Sequence, residues 1–136
     1  NKIGNFNSMI ESCYPGFIQE AIYDYLDYKD SFSKKVQKEI ISRIKTIDKI
    51  FNKTKFLKII IPDGGIFMFI KVLLPNFDGT SFALGLLENK FVCVCPGKYF
   101  GENHHNYFRI NLALSHNELI TASKKIVDYA NYLAVK

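Results

Sequence analysis

A chain of 136 residues, 48% hydrophobic and 23% charged, suffices for one compact domain that buries roughly two-thirds of its unfolded surface. No apolar run is long enough to cross a bilayer, which excludes a membrane-spanning helix. The formal charge of +5 does not point to nucleic acid, because the basic residues concentrate between Lys34 and Lys58, interleaved with Ile at helical spacing as on a solvated helix face, and no RNA-binding aromatic pattern accompanies them. Cys13, Cys93 and Cys95 are an odd count in a chain with no signal peptide, so a reducing, cytoplasmic compartment is expected. The chain starts with Asn1 on a polar stretch and reads as a piece of a longer protein.

From Pro15, suited to a first helical turn, Ile18, Ala21, Ile22, Tyr25 and Leu26 recur at three- and four-residue spacing and predict a short helix ending near Tyr28. The polar stretch Lys29 to Ser33 predicts a break, with Asp30, Ser31 and Ser33 as N-cap candidates for a second helix. That helix carries Val36, Ile40, Ile44, Ile47 and Phe51 on one stripe and reaches Phe51.

The period then changes. Phe56 to Ile61 and Ile66 to Leu74 predict two antiparallel strands around the turn Pro62-Asp63-Gly64-Gly65. Asp78 or Thr80 can cap a helix through Asn89 that turns Phe82, Leu86 and Leu87 inward. Phe91 to Cys95 predicts a third strand, in which Cys93 and Cys95 point to one face as buried thiols, their Cα atoms about 7 Å apart and poorly set for a disulfide. Lys98 to Asn106 is too polar and too glycine-broken for regular structure, and Tyr107 to Leu112 predicts a fourth strand. Phe108, Ile110 and Leu112 share one face of it, Tyr107, Arg109 and Asn111 the other. Ser115 and Glu118 stand at capping-box spacing before a last helix whose stripe is Leu119, Ala122, Ile126, Tyr129 or Ala130, and Leu133. The sum is an α+β fold of two layers: a three- to four-stranded, mainly antiparallel sheet with helices on one face, preceded by a long helix.

Arg109 is the chemically notable residue. A guanidinium cannot shed its proton, and its fork fits carboxylate or phosphate in a bidentate way. Two readings are open from spacing alone: an anion-binding role, or an internal ion pair with Glu88 or Glu102. A zinc site from His104, His105, Cys93 and Cys95 is disfavoured by the C-x-C spacing and the adjacent histidines. Gly64-Gly65 is a turn and not a phosphate loop, since no G-x-G-x-x-G or G-K-[ST] follows it.

The succession PDGGIFMFIKV (62–72), FALGLLENKFVCVCPGKYFG (82–101) and YFRINLA (107–113), followed by an amphipathic helix, resembles the C-terminal small domain of class I/II aminotransferases, the fold-type I pyridoxal-phosphate enzymes. Upstream, SMIESCYPGFIQEAIYDYLD (8–27) is similar to the segment after the cofactor-binding lysine region, and Phe32 to Phe51 to the helix joining the two domains. The resemblance implies that residues 1–30 end a large-domain-like segment with a short helix, and that residues 31–136 form the small domain with its connecting helix.

By the same resemblance, Arg109 matches the arginine that clamps the substrate α-carboxylate, Phe67 matches a pocket-lining position, and Pro96, Gly97, Phe100 and Gly101 match a turn block near the active site. Pyridoxal phosphate would be bound mainly by a large domain absent from this chain, which also supplies the Schiff-base lysine. No catalytic, cofactor-binding or metal-binding residue is therefore assigned here, and the chain is not expected to act alone. The implied reaction moves an amino group from an amino acid to a 2-oxo acid, in a homodimer. The competing readings are a stand-alone interaction module that meets an acidic partner through its basic helix, and another fold-type I enzyme, either a lyase or an acyl-transferring synthase.

Overall fold

The structure, a computed structural model, describes residues 16–136; Cys13 and Pro15 lie outside the described residues. The chain divides into two compact units, Asn1–Lys38 and Glu39–Lys136. Helix α1 runs as one element over Gly16–Phe51, so the predicted break at Lys29 to Ser33 is not there. The stretch contains no Gly or Pro, and Ser31, expected as a cap, instead donates from Oγ back to the Tyr28 carbonyl at 2.9 Å, a bond made inside a helix. Tyr25 and Phe32, on either side, meet edge to face at 5.6 Å.

In the second unit, α1 contributes Ile47, Ile50 and Phe51 to the core, with Ile40 and Ile44 packed beside them. Strands β1 (Leu57–Ile60) and β2 (Phe67–Val72) follow, then α2 (Gly79–Lys90), β3 (Cys95–Pro96), short 3-10 turns at Gly97–Phe100 and Glu102–His104, β4 (Tyr107–Asn111) and α3 (His116–Val135). The sheet is antiparallel throughout, in the order β1-β2-β4-β3. Met68 faces Ile110 and Ile70 faces Phe108 across β2 and β4. These side chains, with Leu112, are buried in one cluster with Phe82 and Leu86 of α2 and with Leu119, Ile126, Val127, Tyr129 and Ala130 of α3. The expected two-layer α+β architecture is therefore present, its helices on one face.

Both later helices start as their sequences require. The Asp78 carboxylate accepts from the backbone N–H of Thr80 and Ser81, at 3.0 and 2.7 Å, and the Ser81 bond chiefly holds its pKa below the ordinary carboxyl value. Ser115 and Glu118 close the expected capping box.

Three expectations fail between these helices. Leu87 is 45% exposed and does not face the core. Phe91 caps α2 in the left-handed region (φ 55°) rather than opening a strand, and only Cys95–Pro96 pairs with β4. Val92 and Val94 still pack against the core while Cys93 is exposed, so the alternation that suggested a strand is real. It has no partner strand among the described residues. The thiols are accordingly not buried: Cys93 is exposed and Cys95 half-buried.

Within this unit Arg43 ties α1 to the sheet. Its Nη1 donates to the carbonyls of Leu112 and Leu114, both at 2.6 Å, while Glu39 accepts from Nε and pairs with Nη2 at 3.0 Å. The Glu39 pair is largely exposed and contributes little. The carbonyl bonds are charge-assisted and partly buried, so Arg43→Met, which keeps the aliphatic stem, is expected to cost about 1.5–3 kcal/mol in denaturant unfolding. Unchanged stability would mean that water replaces the guanidinium at both carbonyls.

Candidate functional site

The sheet face away from the helices carries Phe67, Phe69 and Lys71 from β2 and Tyr107, Arg109 and Asn111 from β4, as strand alternation dictates. Arg109 stands opposite Phe69 on one side and Cys95 on the other, so its backbone is held in the ladder from both sides. Its guanidinium carbon lies 3.9 Å from the ring centre of Phe67 and 4.2 Å from that of Phe100. The two contacts come from different origins. Phe67 is the diagonal cross-strand neighbour, within reach of a long side chain. Phe100 arrives from the first 3-10 turn and is braced edge to face by Phe69 at 5.4 Å.

Two glycines let that turn deliver Phe100. A Cβ on Gly97 would overlap the carbonyl oxygen of His104 and lie 2.7 Å from that of Tyr107, so only glycine lets the turn pack this closely on the start of β4. Gly101 has φ +133°, which L side chains rarely adopt. His104 then packs its ring on Phe69 and Tyr107 at 5.5 and 5.6 Å, and Lys71 lies 5.6 Å over the Tyr107 ring. The face is aromatic and cationic together.

Neither Glu88 nor Glu102 forms the ion pair that spacing allowed, and no carboxylate among the described residues lies within ion-pair distance of Arg109. Phe67 and Arg109 instead line a cavity of about 640 Å³ bounded by Phe91 to Pro96 and by Glu118, Leu119, Ala122, Ser123 and Ile126. Glu118 shares the cavity, but its carboxylate accepts from the Ser115 hydroxyl and N–H, and the hydroxyl bond chiefly lowers its pKa. The buried Ser123 Oγ in the same wall has no hydrogen-bond partner among the described residues.

Among the described residues no lysine lines the cavity, and Arg109 is the only cation in its wall. That donor set fits a carboxylate. It does not fit pyridoxal phosphate, which needs an amine for the Schiff base, an acid for the ring nitrogen and several donors for the phosphate. Among the described residues no three His, Cys, Asp or Glu side chains gather as a metal site, and no helix is long and apolar enough to cross a membrane. Arg109 and Phe67 are thus brought together, as residues of two paired strands on one sheet face can be. Phe100, read from sequence as part of a structural turn, is the member of the site that spacing missed; the paired glycines around it were the available signal.

The family model described as aminotransferase class I and II matches residues 2–126. The chain is 32% identical over 116 residues to an aspartate aminotransferase of Thermococcus kodakarensis, covering 83% of this chain and 30% of that protein. It is 33% identical over 109 residues to a (5-formylfuran-3-yl)methyl phosphate transaminase of Methanocaldococcus jannaschii, covering 74% and 28%. Among solved structures, an aminotransferase from Staphylococcus aureus superposes with a TM-score of 0.80 at 28% identity, covering 96% of this chain and 34% of that one. The chain thus spans about 30% of the length of the curated relatives it matches.

Proposed function

The chain belongs to the class I and II aminotransferases, and we propose that it is the C-terminal part of a pyridoxal-phosphate-dependent enzyme that moves an amino group from an amino acid to a 2-oxo acid. Residues 31–136 are its small domain with the connecting helix, and residues 1–30 end the large-domain segment. Arg109 binds the substrate α-carboxylate and Phe67 lines the same pocket. The Schiff-base lysine and the cofactor's phosphate donors come from the rest of the protein, so the chain alone is inactive. The complete enzyme is read as a cytoplasmic homodimer.

One observation carries the reading: a guanidinium held between two rings, facing a cavity, with no carboxylate partner among the described residues. A positive charge on a half-buried strand face normally acquires an acceptor. In a protein that handles amino acids, the carboxylate common to them all supplies it, through two parallel N–H···O bonds that fix the orientation of the α-carbon.

The reading is tested by incubating the complete protein, loaded with pyridoxal phosphate, with amino acids and a 2-oxo acid. Amine transfer to the oxo acid is expected. Elimination of a β-substituent or condensation with an acyl thioester, in place of transfer, would assign the chain to a lyase or a synthase.

A further inference from the structure

We infer that Phe100, together with Phe67, is a positioning residue for substrate binding: the two rings fix the plane of the Arg109 guanidinium so that only its edge is open to a carboxylate. This rests on the carboxylate-binding reading of Arg109. The five N–H donors of a guanidinium lie in one plane, and the faces above and below carry none. The ring centres of Phe67 and Phe100 lie 3.9 and 4.2 Å from the guanidinium carbon, closer than a ring can come within the guanidinium plane, so both rings pack over its faces and not along its edge. A bidentate acceptor then has to approach in the plane, where two oxygens meet two donors.

Two features mark Phe100 as placed for this contact. Phe69, directly opposite Arg109 in the ladder, braces it from the side. The turn that carries it depends on Gly97 and Gly101, whose conformations and close contacts admit no side chain. The sequence block therefore does more than shape a loop: it sets a ring against the fork that holds the substrate. Preordering a side chain with several rotatable bonds removes part of the entropy that binding would otherwise cost.

The test uses the complete enzyme with the best amine donor among the twenty common L-amino acids as probe. Phe100→Leu, apolar but without a ring, is expected to raise KM for that amino acid about three- to tenfold while kcat changes less than about twofold. Phe100→Tyr, which restores the ring, is expected to return KM to within about twofold of the parent. Phe67→Leu removes the other ring, reports the same split, and serves if Phe100→Leu fails to fold. Arg109→Gln is measured in parallel. If it raises KM while both leucine variants match the parent, the positioning role is overturned and the carboxylate reading stands. If it leaves KM unchanged, or if none of the twenty amino acids donates, the carboxylate reading falls and the positioning role with it. A fall in kcat and thermal midpoint together, with KM unmoved, assigns the rings to structure alone and overturns the inference.

Discussion

Arg109→Gln in the complete enzyme is expected to raise KM for amino acids roughly 100-fold, equivalent to about 2.7 kcal/mol of lost binding, and to lower kcat/KM by at least as much. The loss is large because two charge-assisted bonds go at once and the carboxylate is left facing rings and aliphatic walls. Stability should change little. Arg109 has no ion pair among the described residues, so its removal leaves no buried carboxylate without a partner. Arg109→Lys keeps the charge but loses the fork and most of the stacking, and about a tenfold rise is expected. Steady-state kinetics beside thermal unfolding separate binding from folding. An unchanged KM in the Gln variant would remove Arg109 from the substrate site.

The second large effect concerns the opposite face of the same strand. Phe82 has no exposed surface, stacks on Phe108 with ring centres 5.3 Å apart and tilts against Tyr129 at 5.4 Å. It joins α2, β4 and α3 in one contact. Phe82→Ala is expected to cost about 3–5 kcal/mol in denaturant unfolding, since neighbours from three elements cannot all relax into the void. Phe82→Leu should cost under about 1.5 kcal/mol if volume dominates, and more if the aromatic pairs matter. A loss below about 1 kcal/mol in the Ala variant would mean that the three elements close over the gap.

Local chemistry made several elements legible. The Ser115–Glu118 spacing started α3 where expected, Asp78 capped α2, and the alternation of Phe108, Ile110 and Leu112 with Tyr107, Arg109 and Asn111 set both faces of β4. Each depends on residues within a few positions of one another. The misses depended on partners far along the chain. Val92 to Cys95 has the period of a strand, but a ladder needs a second strand in register, and only Cys95 and Pro96 find one. The polar stretch Lys29 to Ser33 suggests a break with N-caps for a second helix, yet the helix runs through it and Ser31 bonds back to the Tyr28 carbonyl inside it.

The Arg109 site divides the same way. That its charge had to be answered was evident from the residue type. That two rings flank it was not, because Phe67 is diagonal in the register and Phe100 lies nine residues upstream on a turn whose close packing rests on Gly97. Cross-strand geometry is visible only once the register is known.

The double bond from Arg43 to Leu112 and Leu114 has a mechanical corollary. Leu112 follows directly on β4, three residues after Arg109, and the ladder to β2 makes that strand stiff. The last turns of α1 and the chain that leaves β4 are therefore riveted at one point, by a side chain whose two acceptors lie on the same short exit. Any displacement of those helical turns has to carry the guanidinium at 109 along with it or shear both bonds together. The strand works as a pushrod: the backbone that carries Arg109 is indexed to the helix, while the rings of Phe67 and Phe100 set the plane of its fork.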